Sequence, residues 1–371
     1  MAFVLSDPRC VPVILLVLGS LRILTRNVTL DDLYEQTFIS SETHRVFFVK
    51  FMKWYSEVVF PLFIKMPNME ELESNNAEYV AAGFPGAVCS VDCVHVRVWG
   101  VSANLKQVST GKEHFPSRVF EVSVNHRGII TSATRGFYGS VVDQSIVKFD
   151  GAMTAMRDGC YKDFRYSVYD KDGKRTIVCG AYALSDNGYH PWPSLMYPSK
   201  VTKSDADINW SEMLESLRKD IECLFGQMKQ EFAILKYGSR FNSLELMDDI
   251  FLTCCAIHNQ RKMLAGLDAP WSTDEIVEGA DSDLSQKEVA VFRRMHEDER
   301  NQSMRLEQSG GVGSGEHVVM HDNCTDIPGD ITHAALKDIL ITHFDVANRK
   351  GEVVWPRING IVRNYYTASQ R

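Results

Sequence analysis

A chain of 371 residues is long enough for two domains, or for one large domain with appendages. Its content of 44% hydrophobic and 24% charged residues is typical of a soluble globular protein. Nine cysteines, an odd number without a Cys-x-x-Cys pair, exclude a disulfide framework and a zinc knuckle, and they indicate reduced thiols.

The net charge of −8 neither supports nor excludes DNA as a partner, because the charge is uneven. Residues 1–80 carry 7 basic and 10 acidic side chains, and residues 271–371 carry 11 and 17. Residues 81–270 carry 22 and 21, so the acidity lies in the flanks and the middle is nearly neutral.

The first 80 residues are predicted to be helical. The apolar run Val11–Leu18 is too short to span a membrane and has no convincing cleavage site, so we expect a buried helix over Val11–Thr25. Thr29 and Asp32 resemble a capping box for a short helix that ends near Thr37. A longer helix begins near Ser41, with an apolar stripe that includes Phe47, Phe51 and Trp54. This outline fits a helix-turn-helix-like module or any small helical bundle.

From Gly83 onwards, valine-rich segments separated by turns predict strands. The predicted strands are Ala87–Trp99, Val119–His126, Gly128–Thr134, Tyr166–Asp170, Thr176–Val178 and Tyr182–Leu184. The predicted helices are Val142–Ala155, Trp210–Phe232 and Ser243–Leu264. Strands followed by helices indicate an α/β fold with a mixed sheet flanked by helices. After residue 270 the chain is acidic, with a linker at Gln308–Glu316 and a last helix at about Asp330–Asp345 that docks through Val353-Val354-Trp355.

Three acidic residues stand out, although each has a structural alternative. Asp92 lies within a strand, where a carboxylate is costly unless it binds something or faces water on an edge strand. Asp186 follows a strand in Asp-Asn-Gly, which is also an ordinary turn signal. Glu222 lies on a helix whose charged residues suit a solvated face.

Taken together, the three carboxylates point to a metal site. Two aspartates on strands and a glutamate on a helix can meet at one sheet edge, and hard divalent cations prefer oxygen ligands. Two such metals, spaced about 4 Å apart, can activate an attacking oxygen and stabilise a leaving one. The interval between Asp186 and Glu222 encloses 35 residues, the spacing of many RNase H-like transposases and integrases.

Five ordered blocks resemble PIF/Harbinger-type DDE transposases, a family of transposase-derived nucleases. The blocks span about residues 83–262. They are Gly83–Gly86 with Ser90–His95, Gly136–Asp143, Asp186–Tyr189, Arg218–Lys229 and Cys255–Asn259. Five blocks in the family's order are far more specific than one acidic triplet.

The resemblance implies an RNase H-like catalytic domain over 81–265, a helix-turn-helix-like module over 1–80 and an acidic tail with a docking helix over 266–371. It implies a nuclear DNA endonuclease and transposase in which Asp92, Asp186 and Glu222 hold two Mg²⁺ or Mn²⁺ ions. The partners would be double-stranded DNA at transposon ends and target sites, a Myb-like DNA-binding protein and further copies of the chain, with no membrane. The alternative is a domesticated relative that binds in the nucleus without cutting DNA.

Other polar residues are assigned structural roles. We expect Asp143 to cap or close the turn before the helix that follows it, His95 to pack in the core on the strand face opposite Asp92, and His258 to be a hydrogen-bonded core histidine. Arg218 either orients Glu222 or contacts a phosphate. We expect Arg157–Arg175 to be a solvated insertion. The helix from Ser41 is the predicted DNA-facing element, through Thr43, His44, Arg45, Lys50 and Lys53.

Overall fold

The computed structural model of the chain describes residues 11–268 and 331–353. The predicted linker Gln308–Glu316 and the docking residues Val354 and Trp355 lie outside these ranges. The chain divides into two compact units. Unit 1 comprises residues 1–66, 90–154 and 218–268, and unit 2 comprises residues 67–89, 155–217 and 269–371. The domain boundaries drawn after residues 80 and 265 stay predictions.

Unit 1 begins with α1 (Val13–Arg26), α2 (Leu30–Thr37) and α3 (Ser41–Trp54), so the N-terminal region is helical as predicted. Thr29 and Asp32 form the predicted capping box at the start of α2. A π-helical segment (Tyr55–Val59) leads from α3 into α4 (Phe60–Phe63). No helix within the described ranges is long and apolar enough to cross a bilayer.

An antiparallel meander forms the sheet of unit 1. It consists of β1 (Ala87–Arg97), β2 (Ser117–Val124) and β3 (Ile130–Ala133), and β4 (Phe137–Tyr138) pairs with β2. Helix α6 (Ala103–Ser109) connects β1 to β2. Alternating valines place one face of β1 in the core, as the valine-rich sequence predicted.

Unit 2 contains α5 (Met69–Ala81), the hairpin β5 (Arg165–Tyr169) and β6 (Arg175–Cys179), and the parallel pair β7 (Tyr182–Leu184) and β8 (Leu195–Met196). Tyr182 donates its N–H to the Gly86 carbonyl just before β1. The strand order in the sheet is β3-β2-β1-β7-β8. A mixed sheet flanked by helices confirms the coarse fold prediction.

The predicted helix Val142–Ala155 is wrong, because the chain forms two short helices there, α7 (Asp143–Ile146) and α8 (Gly151–Arg157). Asp150 interrupts the helix. Its Oδ1 accepts hydrogen bonds from the N–H groups of Ala152 and Met153 and so caps the N-terminus of a new helix, α8. The remaining helices are α9 (Asp205–Glu231), α10 (Ala233–Tyr237), α11 (Leu244–Leu264) and α12 (His333–Lys350).

The N-terminal helices share one hydrophobic core with the sheet of unit 1. Leu24 of α1 and Phe48 of α3 belong to the same buried cluster as Val94, Phe120 and the α9–α11 residues Ile221, Leu235 and Ile250. In unit 2, the Phe84 ring packs against Trp210 and Phe344. The segment Arg157–Arg175 is not a solvated insertion, because Tyr161, Phe164, Tyr166 and Val168 are buried within unit 2.

Candidate active site

Asp92 is a largely buried carboxylate near the middle of β1. It pairs with Val122 of β2, and its side chain is 19% exposed. Its Oδ1 accepts the N–H of Cys93 at 2.7 Å. The small exposure of the carboxylate does not fit the alternative of an acid that faces water on an edge strand. A carboxylate at this depth requires hydrogen bonds or positive charge to offset its lost hydration.

Helix α9 presents Glu222 beside that strand because its opposite side is anchored in the core. Ile221 and Leu224 are fully buried at helical spacing in unit 1. Asp220 forms a buried contact with His126, and each side chain is 5% exposed. The Glu222 carboxylate points away from these contacts and is 51% exposed. The helix face that bears Glu222 is therefore fixed by the residues around it.

Arg218 brings two of the three predicted carboxylates to one place. Its Nη1 lies 3.5 Å from Asp92 Oδ2, and its Nη2 lies 3.3 Å from Glu222 Oε1. The guanidinium is 14% exposed, so it interacts with both acids where water screens charge poorly. Of the two predicted roles for Arg218, orienting a carboxylate is the one that these contacts favour.

Asp186 follows β7 in unit 2 and is partly buried. Its Oδ1 accepts the Gly188 N–H at 2.7 Å, which closes the Asp-Asn-Gly turn. One of the two carboxylate oxygens of Asp186 therefore acts as a turn acceptor, as the structural alternative predicted. Its role as a metal ligand stays a prediction.

The chemistry of the donors suits a divalent cation, since Asp92 and Glu222 offer hard carboxylate oxygens. Both already contact a cation, the guanidinium of Arg218, so positive charge is favoured between them. Within the described residues, no three His, Cys, Asp or Glu side chains form a group that could hold a metal ion. Metal binding by Asp92 and Glu222 therefore stays a prediction.

Asp143 does not have the capping role predicted for it. Val142 is the N-cap of α7, and no side chain caps that helix. The Asp143 carboxylate instead lies 3.8 Å from Lys112 Nζ, and Asp150 is the acid that caps a helix in this segment. Sequence reasoning missed Asp150 because its capping pattern lies inside an apparently continuous helix.

The predictions for three histidines had different outcomes. His258 is a core residue as predicted, since it is 1% exposed and its ring contacts the Gly128 carbonyl. His95 shares a strand face with Cys93 as predicted, but both residues line a cavity rather than the core. Of the five residues on the predicted DNA-facing helix, some of which were expected to face outward, His44 does not, because it is 2% exposed and hydrogen-bonded to Thr37 Oγ1.

Comparison with known families assigns the chain to a group of transposases. Residues 62–263, more than half of the chain, match the family described as "Plant transposon protein". The chain belongs to this family. The matched range includes Asp92, Asp186, Arg218 and Glu222, and membership confirms the predicted relationship to Harbinger-type transposases.

Two curated relatives of the chain are named as nucleases. The chain is 23% identical over 184 residues to the Homo sapiens protein named "Putative nuclease HARBI1". It is 22% identical over 191 residues to the Rattus norvegicus protein of that name. Each match covers 49% of the chain and 47% of the relative, so the chain spans about half the length of these proteins. No solved structure matches the chain.

Proposed function

We propose that the chain is a divalent-metal-dependent DNA endonuclease of the transposase type, which cleaves and joins phosphodiester bonds at transposon ends. Family membership and the nuclease relatives support this class of activity. The observation that carries the proposal is the contact of Asp92 and Glu222, from distant parts of the sequence, with the one guanidinium of Arg218.

In this proposal Asp92, Asp186 and Glu222 hold two Mg²⁺ or Mn²⁺ ions. Bound ions would supply the positive charge that activates an attacking oxygen and stabilises a leaving one. The protein contributes positioning. The Cys93 N–H holds one oxygen of Asp92, and Arg218 orients the other oxygen together with Glu222. The attacking group is water during cleavage and a DNA 3′-hydroxyl during joining.

The finer fold assignments belong to the same proposal. The strand order, an antiparallel meander continued by a parallel pair, is compatible with an RNase H-like sheet. Helices α1–α3, joined by short connections, would form the helix-turn-helix-like module. Double-stranded DNA at transposon ends and targets, a Myb-like partner, self-association and a nuclear location are part of the proposed function.

The test is a nicking assay with the full chain on duplexes that carry the ends of its own element, in Mg²⁺ or Mn²⁺. We expect Asp92→Asn, Asp186→Asn and Glu222→Gln each to abolish cleavage, because an amide keeps the shape but loses the charge that holds a metal. The amide oxygen of Asp186→Asn can still accept the Gly188 N–H, so the turn stays intact.

Asp143→Asn is the matched control, since the ion-pair partner of this acid within the described residues is the exposed side chain of Lys112. We expect that variant to cleave normally. A folded but inactive Asp143→Asn, together with an active Asp186→Asn, would show that the second metal ligand is misassigned.

One observation favours a second function, that of a transposase-derived scaffold that binds without cutting. The Arg218 guanidinium already neutralises part of the charge of Asp92 and Glu222. Calorimetric titration with Mn²⁺ separates the two functions. Binding that is lost in both Asp92→Asn and Glu222→Gln supports the enzyme, whereas no Mn²⁺ binding and no cleavage support the scaffold.

A further inference from the structure

A basic cavity lies in unit 1, and its lining includes sequence neighbours of two candidate site residues. It has a volume of about 390 Å³, and its lining includes Cys93, which follows Asp92 on β1, and Phe225, one turn beyond Glu222 on α9. The lining also contains four cationic side chains from four different segments, namely Arg97, Lys112, Lys229 and Lys236. Among the described residues that line this cavity, Glu113 is the one carboxylate.

Among the residues that the structure describes, most of these cations have no carboxylate that neutralises them. Within the described residues, no Asp or Glu oxygen lies within 4.0 Å of Arg97, Lys229 or Lys236, and Lys112 has one contact, with Asp143 at 3.8 Å. Burial, followed by the charges of Lys112 and Lys229, lowers the pKa of His95 in the same cavity against the opposing effect of Glu113 and Asp143. A cavity with this excess of positive charge is suited to a polyanion.

A second cavity of about 450 Å³ continues the same surface. It is lined by Arg26, Asn27, Trp99, Tyr237 and Arg240. Trp99 is 60% exposed and Tyr237 is 57% exposed, which is unusual for side chains with so much apolar surface. Two further cations, Arg26 and Arg240, therefore accompany a pair of exposed aromatic rings.

The two cavities are joined by residues that hold these rings in place. The Arg97 guanidinium, in the first cavity, lies 4.7 Å from the centre of the Trp99 ring in the second. Trp99 Nε1 donates to the Tyr237 carbonyl at 2.8 Å, and Lys236 Nζ lies 5.3 Å from the Tyr237 ring centre. The rings are thus exposed but held in position, as a stacking surface requires.

We propose that these two cavities, here called the basic-aromatic strip, bind a single strand of DNA. Unpaired bases would stack on Trp99 and Tyr237 while phosphates contact the surrounding cations. Held aromatic rings among cations are the features by which proteins bind single strands without reading sequence. The inference rests on the proposed function for the choice of DNA and for the strand's route from the strip to Asp92 and Glu222.

The experiment measures binding of the full chain to a fluorescent 20-nucleotide oligothymidylate by anisotropy, in EDTA, at two salt concentrations. We expect Trp99→Ala to bind roughly five- to 150-fold more weakly, the range for removal of one stacking platform. Trp99→Phe should restore most of the affinity, because it restores an aromatic face. Lys229→Gln should weaken binding and make it less dependent on salt.

Trp54→Ala is the matched control. Trp54 is 50% exposed, and it lies on α3, the helix predicted from sequence to face DNA. We expect its removal to leave oligothymidylate binding unchanged. Tyr237→Ala provides an independent variant of the strip should Trp99→Ala fail to fold. Unchanged binding by both Trp99→Ala and Tyr237→Ala, or an equal loss of binding in Trp54→Ala, would overturn the proposal.

Competing ligands test the chemical class. Three results would each overturn the assignment to single-stranded DNA. The first is that a duplex of equal length binds more tightly than oligothymidylate and that Trp99→Ala does not weaken its binding. The others are tighter binding of oligouridylate than of oligothymidylate, and displacement of the oligonucleotide by polyglutamate as effectively as by DNA. Because EDTA removes divalent ions, binding does not depend on cleavage. Trp99-dependent binding without any metal-dependent cleavage would refute the proposed function alone, and cleavage without Trp99-dependent binding would refute the strip alone.

Discussion

Protonation of His343 should loosen the docking of α12 within unit 2. The His343 ring is 8% exposed, its Nδ1 accepts the Tyr169 N–H at 2.9 Å, and it stacks on the Tyr169 ring. Burial, followed by the charges of Arg175 and Lys350, lowers the pKa of His343 from 6.5 to about 4. A protonated ring would lose its acceptor and place a buried charge beside these two cations.

The sign and size of the effect follow from the two pKa values. The undocked ring binds a proton near pH 6.5, whereas the docked ring does so near pH 4, so stability is present above pH 6.5 and is lost as the pH falls towards 4. The full shift corresponds to about 3 kcal/mol, of which about 2 kcal/mol is lost between pH 7 and pH 5.

Hydrogen exchange of α12 amides in the full chain measures this loss directly, because it reports the free energy of local opening. His343→Asn keeps an acceptor for the Tyr169 N–H but does not titrate, so its opening energy should depend less on pH. His333, whose pKa is lowered to about 4 by burial and then by Lys337, adds to the effect. A double variant with His333→Gln should be nearly insensitive to pH. An opening energy in the unmodified chain that is constant between pH 7 and pH 5 would refute the reasoning.

Two substitutions test the packing inside each unit, one in unit 1 and one in unit 2. Asp248→Asn should lower the free energy of unfolding by about 3–5 kcal/mol, because Asp248 and Arg118 form a buried bidentate pair and the variant leaves the guanidinium without its counter-charge. The control Glu42→Gln breaks an exposed pair and should leave the urea midpoint unchanged. Equal urea midpoints for the two variants would contradict this prediction. Gly86→Ala should cost about 2–5 kcal/mol, since Gly86 has φ +90° and an added Cβ would lie 2.4 Å from the buried Tyr166 ring. Thermal denaturation of Gly86→Ala at the wild-type temperature would show that the ring moves aside freely.

Strands were predictable from the sequence because their burial pattern is local. Alternating valines located β1, and turn residues located the hairpin of β5 and β6. Helix ends were less predictable, because the cap that Asp150 provides for α8 resembles the interior of a longer helix. Strand order depends on pairings between distant segments, so no local pattern reveals it.

Within the candidate site, family motifs identified the acids, but only the structure relates Asp92 to Glu222 through Arg218. The basic-aromatic strip has no signature in the sequence. Its cations come from separate segments, with Arg26 at the end of α1 and Arg240 after α10, and each resembles an ordinary solvated charge. The total charge of residues 81–270 is nearly neutral and hides this local excess.

The interleaving of the two units along the chain has a consequence for synthesis. Helix α1 packs against α10, and Ile23 shares a core with Ile234 and Leu235, which leave the ribosome much later. Unit 1 is completed only by residues 218–268. At typical elongation rates of about 5–20 residues per second, the apolar faces of the first helices wait on the order of ten to forty seconds for their partners. A prematurely terminated copy that ends before residue 218 would therefore leave both units incomplete and these faces available for aggregation.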